Sequence, residues 1–481
     1  MFGQKKRGRG RRWGGRAAVF SALIATPLAL CSAAAGEMTP FRDGDTVVFF
    51  GDSITHGGRY HEFLTDYYRT RFPEADIRFV NSGIGGDNAK SSQIRIPEDI
   101  GAYAPTHVFV HFGMNDVGRS VYSAVPTAHN LEIAERCQAE FRRNLPELVG
   151  KIRQAVPSAK LAYLTPTPYD DTAVVTNIPP GKTGWATVNN RGCSVGLALM
   201  AGYVLTQARR DGVPCVDWYT PLQAFLMGRR ARDPHYMITR YDRTHPEALG
   251  HSVMSWKFLE AQGAPSLVSD IAVDAAALKV TRAENAEVGA PGRTKDGLAF
   301  AVRAKALPFP VPPEALPFVD EFGVEEKLNR EVLSVTGLSD GVYALRIDGV
   351  EVGAWTAAEL ARGVRLGFNP RTPQYRQAQE VMAAVAALTK REAALRNHHS
   401  ARWFFGNRGA PVDDVAAFET WFGENVKDKG EYFAGFVPGY LAYWPRHREV
   451  RAALLADQRD VRKLALPRVR NYEILKAKRE N

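Results

Sequence analysis

The run Thr46-Val47-Val48-Phe49-Phe50-Gly51-Asp52-Ser53 constrains the fold more than any other part of the chain. Its first five residues favour β structure and are almost wholly apolar. A strand with no polar face is one buried on both sides, which requires a parallel sheet covered by helices above and below. The segment then turns at Gly51-Asp52-Ser53, and a helix-like pattern follows from Tyr60 to Phe72. Open α/β sheets bind their ligands just past the C-terminal ends of the strands. A helix N-terminus at that point also favours developing negative charge. Ser53 is therefore a candidate nucleophile, with a plain N-cap or turn role as the alternative, and Asp52 is assigned to holding the turn.

From residue 45 to about 262, short apolar runs alternate with amphipathic stretches. Strands are expected at Thr46–Phe50, Ile77–Val80, His107–Phe112, Leu161–Leu164 and Pro214–Asp217. Helices are expected at Arg59–Phe72, Ile133–Val156, Val195–Asp211 and Ala248–Ala261. This alternation predicts a parallel sheet with helices on both faces. Val117–Asn130 and Tyr169–Asn190 are long irregular insertions, suited to the rim of a site.

A serine hydroxyl is a weak nucleophile until a base takes its proton, and that base needs a carboxylate to orient it. Asp242-Arg243-Thr244-His245-Pro246 offers both groups in one short loop, with Pro246 expected at the first position of the next helix. His245 is the candidate base and Asp242 its partner, while His251 is read as packing or surface. Acyl transfer also needs donors aimed at an oxyanion. The glycines of Asn81-Ser82-Gly83-Ile84-Gly85-Gly86-Asp87 allow a backbone N–H to approach a ligand closely, and Asn115 in Gly113-Met114-Asn115-Asp116 brings a side-chain amide. All these clusters fall at strand ends or at the end of the domain, on one edge of one sheet.

The four blocks, in this order, resemble the SGNH (GDSL-type) serine hydrolase family. Gly51-Asp52-Ser53-Ile54 matches the serine block and Gly86 the oxyanion glycine. Asn115 matches the oxyanion amide, and Asp242 with His245 completes the triad. The resemblance covers about residues 45–262. It implies a flavodoxin-like three-layer α/β/α sandwich, no metal and no organic cofactor. It also implies an oxyanion hole formed by the backbone N–H groups of Ser53 and Gly86 and the Asn115 amide.

The net charge of +10 suggests a nucleic-acid binder only until it is located. Residues 1–36 carry seven Lys or Arg and no acid, and without them +3 remains, which implies no polyanion partner. That segment reads as a secretory signal peptide over residues 1–35: a basic Lys5–Arg16, an apolar Ala17–Leu30 and an Ala33-x-Ala35 cleavage site. Arg11-Arg12 and Leu28-Ala29-Leu30-Cys31 give weak twin-arginine and lipoprotein signals. The expected location is secreted or periplasmic, with no membrane span once the signal is removed. Cys137, Cys193 and Cys215 then remain, too few and too widely spaced for a disulfide framework, although a Cys193–Cys215 bridge is conceivable.

The hydrolase domain is placed at residues 40–265, followed by a linker and β-rich accessory module at 266–355. A strand is expected at Ile271–Val280, and residues 289–323, rich in Gly and Pro, read as linker or irregular surface. Glu331–Thr336, Val342–Ile347 and Val350–Trp355 read as strands. Thr356 with Glu359 opens a helix as a capping box, and Tyr375–Asn397 is strongly helical. Residues 356–481 are thus mainly helical, and the basic stretch from Arg446 onward reads as a solvated helical face. Parts of 328–349 are similar to the accessory region of a bacterial carbohydrate-esterase-like subgroup. The expected function is a secreted serine esterase acting on small acyl esters, such as acetyl, of an acylated glycan. Tyr122, Tyr169 and Trp185 on the loops suit sugars. The alternatives are a lipase or thioesterase for longer acyl chains, and a non-catalytic glycan-binding protein.

Overall fold

The structure, a computed structural model, describes residues 36–176, 178–181, 190–426 and 432–477. The signal-peptide reading, Cys31 and Trp185 lie outside the described residues. Five strands form the first sheet: β1 (Thr46–Gly51), β2 (Arg78–Gly83), β3 (His107–His111), β4 (Lys160–Leu164) and β5 (Cys215–Val216). Their order is β2-β1-β3-β4-β5, and every pairing is parallel. This is the flavodoxin-like order, with its switch point between β1 and β3. All six residues of β1 are buried, as a strand covered on both faces must be.

Among the described residues, the helices around this sheet include α1 (Ser53–His56), α2 (Arg59–Arg71), α3 (Ala128–Ala155), α4 (Cys193–Asp211), α5 (Tyr219–Arg230) and α6 (Ala248–Ala261). Helix α3 starts five residues before its expected position, because Thr127 and Asn130 form a capping box. Pro246 does not open α6: Glu247 is the N-cap, and Pro246 instead bridges to Thr239. Cys137, Cys193 and Cys215 are all free thiols. Cys193 begins α4 and Cys215 lies past its other end, and 19 helical residues separate the two ends by roughly 28 Å.

The C-terminal part holds two sheets. Strands β6 (Leu267–Asp274), β7 (Lys279–Glu284), β8 (Ala286–Val288), β9 (Gly292–Thr294), β10 (Gly297–Ala304), β11 (Arg330–Thr336), β12 (Val342–Ile347), β13 (Val350–Thr356) and β14 (Val364–Arg365) come first. Helices α7 (Pro373–Gly406) and α8 (His447–Ala465) follow, and then β15 (Arg470–Lys476). One sheet runs β13-β12-β15-β10-β8, with β9 beside β10, and the other runs β14-β11-β6-β7. Ile271, Val273, Leu333 and Val335 of the second face Phe300, Leu345, Ile347 and Ile474 of the first in one apolar core. The unit is a β-sandwich.

Three expectations change here. Ile271–Val280 is two strands, because Asp274 Oδ1 accepts the N–H groups of Ala276 and Ala277 and turns the chain into a hairpin. Residues 289–323 are not irregular surface: β9 and β10 lie within them, and Phe309, Val311, Ala315 and Val319 rejoin the core of the first sheet. The extended Pro-rich segment is held there by Asn329, whose side chain accepts from Phe309 N and donates to Phe309 O. The basic tail is helical only to Ala465, and β15 then inserts between β10 and β12. The Thr356–Glu359 capping box is present at the start of Ala357–Arg362.

Helices α7 and α8 lie along β2, an edge strand of the first sheet. Gln458 of α8 donates to Phe79 O and accepts from Phe79 N, as a neighbouring strand would. Glu392 of α7 accepts the N–H of Asn81. No helix among the described residues is long and apolar enough to cross a membrane.

Candidate active site

Ser53 is the first residue of α1, at the C-terminal end of β1. Asp52 is the N-cap, its Oδ1 accepting Ile54 N at 2.9 Å, so its part is the turn, as expected. The side chain is buried, and burial raises the Asp52 pKa to about 6. His245 arrives on the loop before α6. Its Nε2 lies 2.8 Å from Ser53 Oγ, and its Nδ1 lies 2.7 Å from Asp242 Oδ2. Asp242 Oδ1 accepts the backbone N–H groups of Thr244 and His245, both at 3.0 Å. Burial pushes the Asp242 pKa up, but the hydrogen bonds and charge of His245 outweigh it and hold the carboxyl at about 2. Asp242 therefore stays ionised, and the imidazole Nδ1–H is fixed toward it.

The loop owes its shape to Arg243, which adopts a left-handed φ of 60°. Its carbonyl accepts the N–H of Asp170, which anchors the loop to the segment after β4.

The segment Gly83–Asp87 leaves β2 beside Ser53. A Cβ on Gly83 would sit 2.1 Å from His56 N, so only glycine lets this strand end touch α1. Gly86 has φ 83°, which turns the chain and leaves its N–H outside the backbone ladder. Asn115 follows β3, and its Nδ2 donates to Asp87 O at 2.8 Å. That bond uses one amide hydrogen and leaves the other available. The structure thus brings Ser53, Asp242, His245, Gly86 and Asn115 to one end of one sheet. His251 is buried against Tyr60 in the core, as packing.

Two residues that the sequence did not single out belong to the site. His56 Nδ1 accepts the N–H of Gly85 at 3.2 Å, next to the candidate oxyanion donor. Burial lowers the His56 pKa to about 3, so the ring is neutral and its Nδ1 serves as an acceptor. Arg119 donates from Nη1 to Thr244 Oγ1 at 2.7 Å and from Nη2 to Asn115 Oδ1 at 3.4 Å. It bridges the amide loop and the histidine loop, and it lies four residues after Asn115 in a stretch otherwise read as irregular. Of the loop aromatics, Tyr169 is buried in the core, and Tyr122 packs against Gly196 of α4.

Residues 49–253 match the GDSL-like lipase/acylhydrolase family. An acetylxylan esterase of Geobacillus stearothermophilus is 33% identical over 91 residues, which are 16% of this chain and 42% of that protein. The chain thus spans less than half the length of this curated relative. A solved structure described as BT4096, a gut microbial diltiazem-metabolizing enzyme, superposes with a TM-score of 0.80 at 29% identity. That likeness covers 92% of this chain and 100% of the other, so it includes the C-terminal region.

Proposed function

We propose that this chain, whose residues 49–253 match the GDSL-like lipase/acylhydrolase family, is a secreted serine esterase that removes small acyl groups, such as acetyl, from carbohydrate. The observation that carries the reading is the unbroken relay from Ser53 Oγ through His245 to Asp242, at 2.8 and 2.7 Å, beside Gly86 and Asn115. In this mechanism His245 Nε2 takes the Ser53 proton as Oγ attacks the ester carbonyl. The N–H groups of Ser53 and Gly86 and the free Asn115 hydrogen meet the charge on the tetrahedral oxygen. Asp242 stabilises the imidazolium, which then gives its proton to the departing alkoxide. A water molecule, activated by the same histidine, attacks the acyl-serine and releases the acid.

A small acyl group is supported by the likeness to a protein named an acetylxylan esterase. Carbohydrate as the alcohol part rests on the acetylxylan esterase likeness. Export rests on the basic-then-apolar N-terminus, and the N-terminal mass of the mature protein tests it.

The main test compares p-nitrophenyl acetate with p-nitrophenyl octanoate, using wild type and Ser53→Ala. Acetate turnover that depends on Ser53 is expected. Absence of turnover on both esters overturns the esterase reading, and a preference for octanoate overturns the small-acyl reading. Acetate release from acetylated xylo-oligosaccharides tests the carbohydrate part.

A further inference from the structure

The segment that carries Gly86 is gripped from outside its own domain by one face of α7. Glu392 accepts Asn81 N at 3.2 Å. One turn later, Arg396 donates from Nε to Gly83 O at 3.2 Å and from both Nη atoms to Asp99, at 3.1 and 3.0 Å. His399 Nδ1 lies 3.2 Å from the same carboxylate. Trp403 Nε1 and Asn407 Nδ2 both donate to Ser91 O. These positions recur at the spacing of a single helix face. Their polar contacts to the first sheet's domain include Asn81, Gly83, Ser91 and Asp99, all within the stretch from residue 81 to residue 99.

Behind this face lies a buried chain of charges. Arg95 stacks 3.9 Å above the Phe50 ring, donates to Asp99 and Asp87 at 2.7 Å each, and reaches Gly51 O at 2.9 Å. Arg396 and Asp99 are each 1% exposed. Burial alone would raise the Asp99 pKa, but Arg396, His399 and Arg95 pull it well below the usual carboxylate range. The charge is therefore present and fully engaged. The route runs from α7 through Arg396, Asp99 and Arg95 to Asp87, the residue after Gly86. Ile84, in the same turn, buries its side chain among Ala401, Phe405 and Phe418.

We propose that this face of α7 is a positioning element of the active site. Arg396 holds the Gly83–Asp87 turn at the height where the Gly86 N–H meets the oxyanion. In this view the C-terminal region serves catalysis through the oxyanion hole, in contrast to a separate glycan-binding module. The inference rests on the esterase reading above. Oxyanion donors act through fixed placement, and displacing one by about an ångström costs up to roughly 100-fold in rate. Lysine at position 396 keeps the charge but cannot grip Gly83 O and both Asp99 oxygens together.

The experiment measures kcat and KM of full-length Arg396→Lys on p-nitrophenyl acetate, alone and combined with Asn115→Ala. Circular dichroism reports folding. The expected result is a folded protein with kcat reduced about 10- to 100-fold and KM changed by less than about threefold. The two substitutions should also be non-additive, since both act on one oxyanion. Arg391→Ala, on the outer side of the same helix where its partner is Asp457, is expected to keep wild-type kcat. If Arg396→Lys fails to fold, Trp403→Phe and Glu392→Leu, which remove the contacts to Ser91 O and Asn81 N, carry the same readout, with severalfold losses in kcat expected. Wild-type kcat in the folded variants overturns the proposal, as does strict additivity with Asn115→Ala. Either result, obtained while wild type turns over ester in a Ser53-dependent way, leaves the esterase reading standing. A wild type inactive on every ester defeats that reading instead.

Discussion

Strands β1 and β12 are both six residues long, yet they are buried in opposite ways. β1 is covered at every position, while β12 alternates buried residues with exposed or half-buried ones. The first belongs to a parallel sheet covered by helices, the second to an antiparallel sheet with one wet face. The difference carries over to function. A parallel sheet collects the ends of its strands at one edge, and Ser53, Gly86 and Asn115 follow β1, β2 and β3 there. The sandwich gathers no such edge, and what it and its helices give the site is support. Chemistry and support are therefore expected to separate on substitution.

The largest effects should fall in the first region. Ser53→Ala, His245→Ala or Asp242→Asn should each lower kcat by about 10⁴-fold or more, measured on p-nitrophenyl acetate. Near-wild-type rates in His245→Ala would mean that another group is the base. Asn115→Ala should cost about 10²–10³ in kcat with the thermal midpoint nearly unchanged. In the second region, Ile474→Ala removes a fully buried side chain of β15 and should destabilise by about 2–5 kcal/mol in urea unfolding. The folded fraction should keep its kcat, and a loss of kcat there would break the division.

Arg119→Met sharpens the comparison from the other side. It cuts the bridge between Asn115 and Thr244 and should lower kcat by about tenfold, with little change in stability. The smallest effect concerns Glu331, buried in β11, whose Oε1 accepts from Gln374. Burial raises its pKa to about 7. The folded state then holds a proton that the unfolded state has lost, so stability falls as pH rises from about 4.5 to 7. Glu331→Gln lacks this slope. Its thermal midpoint should gain about 2–4 °C on wild type between pH 5 and pH 8. Parallel curves for the two proteins would refute the assignment.

The first sheet was legible because doubly buried strands leave continuous apolar runs and because its chemical groups cluster at their ends. All five strands could be read in this way, and the five residues expected at the site lie together at one end of the sheet. β10 and β15 escaped for opposite reasons. β10 is rich in small residues beside Gly and Pro, and its half-wet face mixes apolar with polar. β15 reads as charged tail because Arg470, Glu473 and Lys476 flank the inward Tyr472 and Ile474. Alternation over seven residues is a weak signal when the partners, β10 and β12, lie more than 120 residues earlier. His56 and Arg119 escaped because neither needs a motif: one accepts a single N–H and the other spans two loops. The grip of Arg396 on Gly83, across 313 residues, left no local trace at all.

The amide of Gln458 against Phe79 bears on whether the first sheet can live alone. An uncovered edge strand offers free N–H and C=O groups to any other chain. Helices α7 and α8 occupy that edge, with Gln458 and Glu392 standing in for a sixth strand. A fragment trimmed to residues 40–265 would expose β2 along its length, next to the mouth of the site. Such a fragment is expected to associate edge to edge or precipitate, however complete its set of reacting groups.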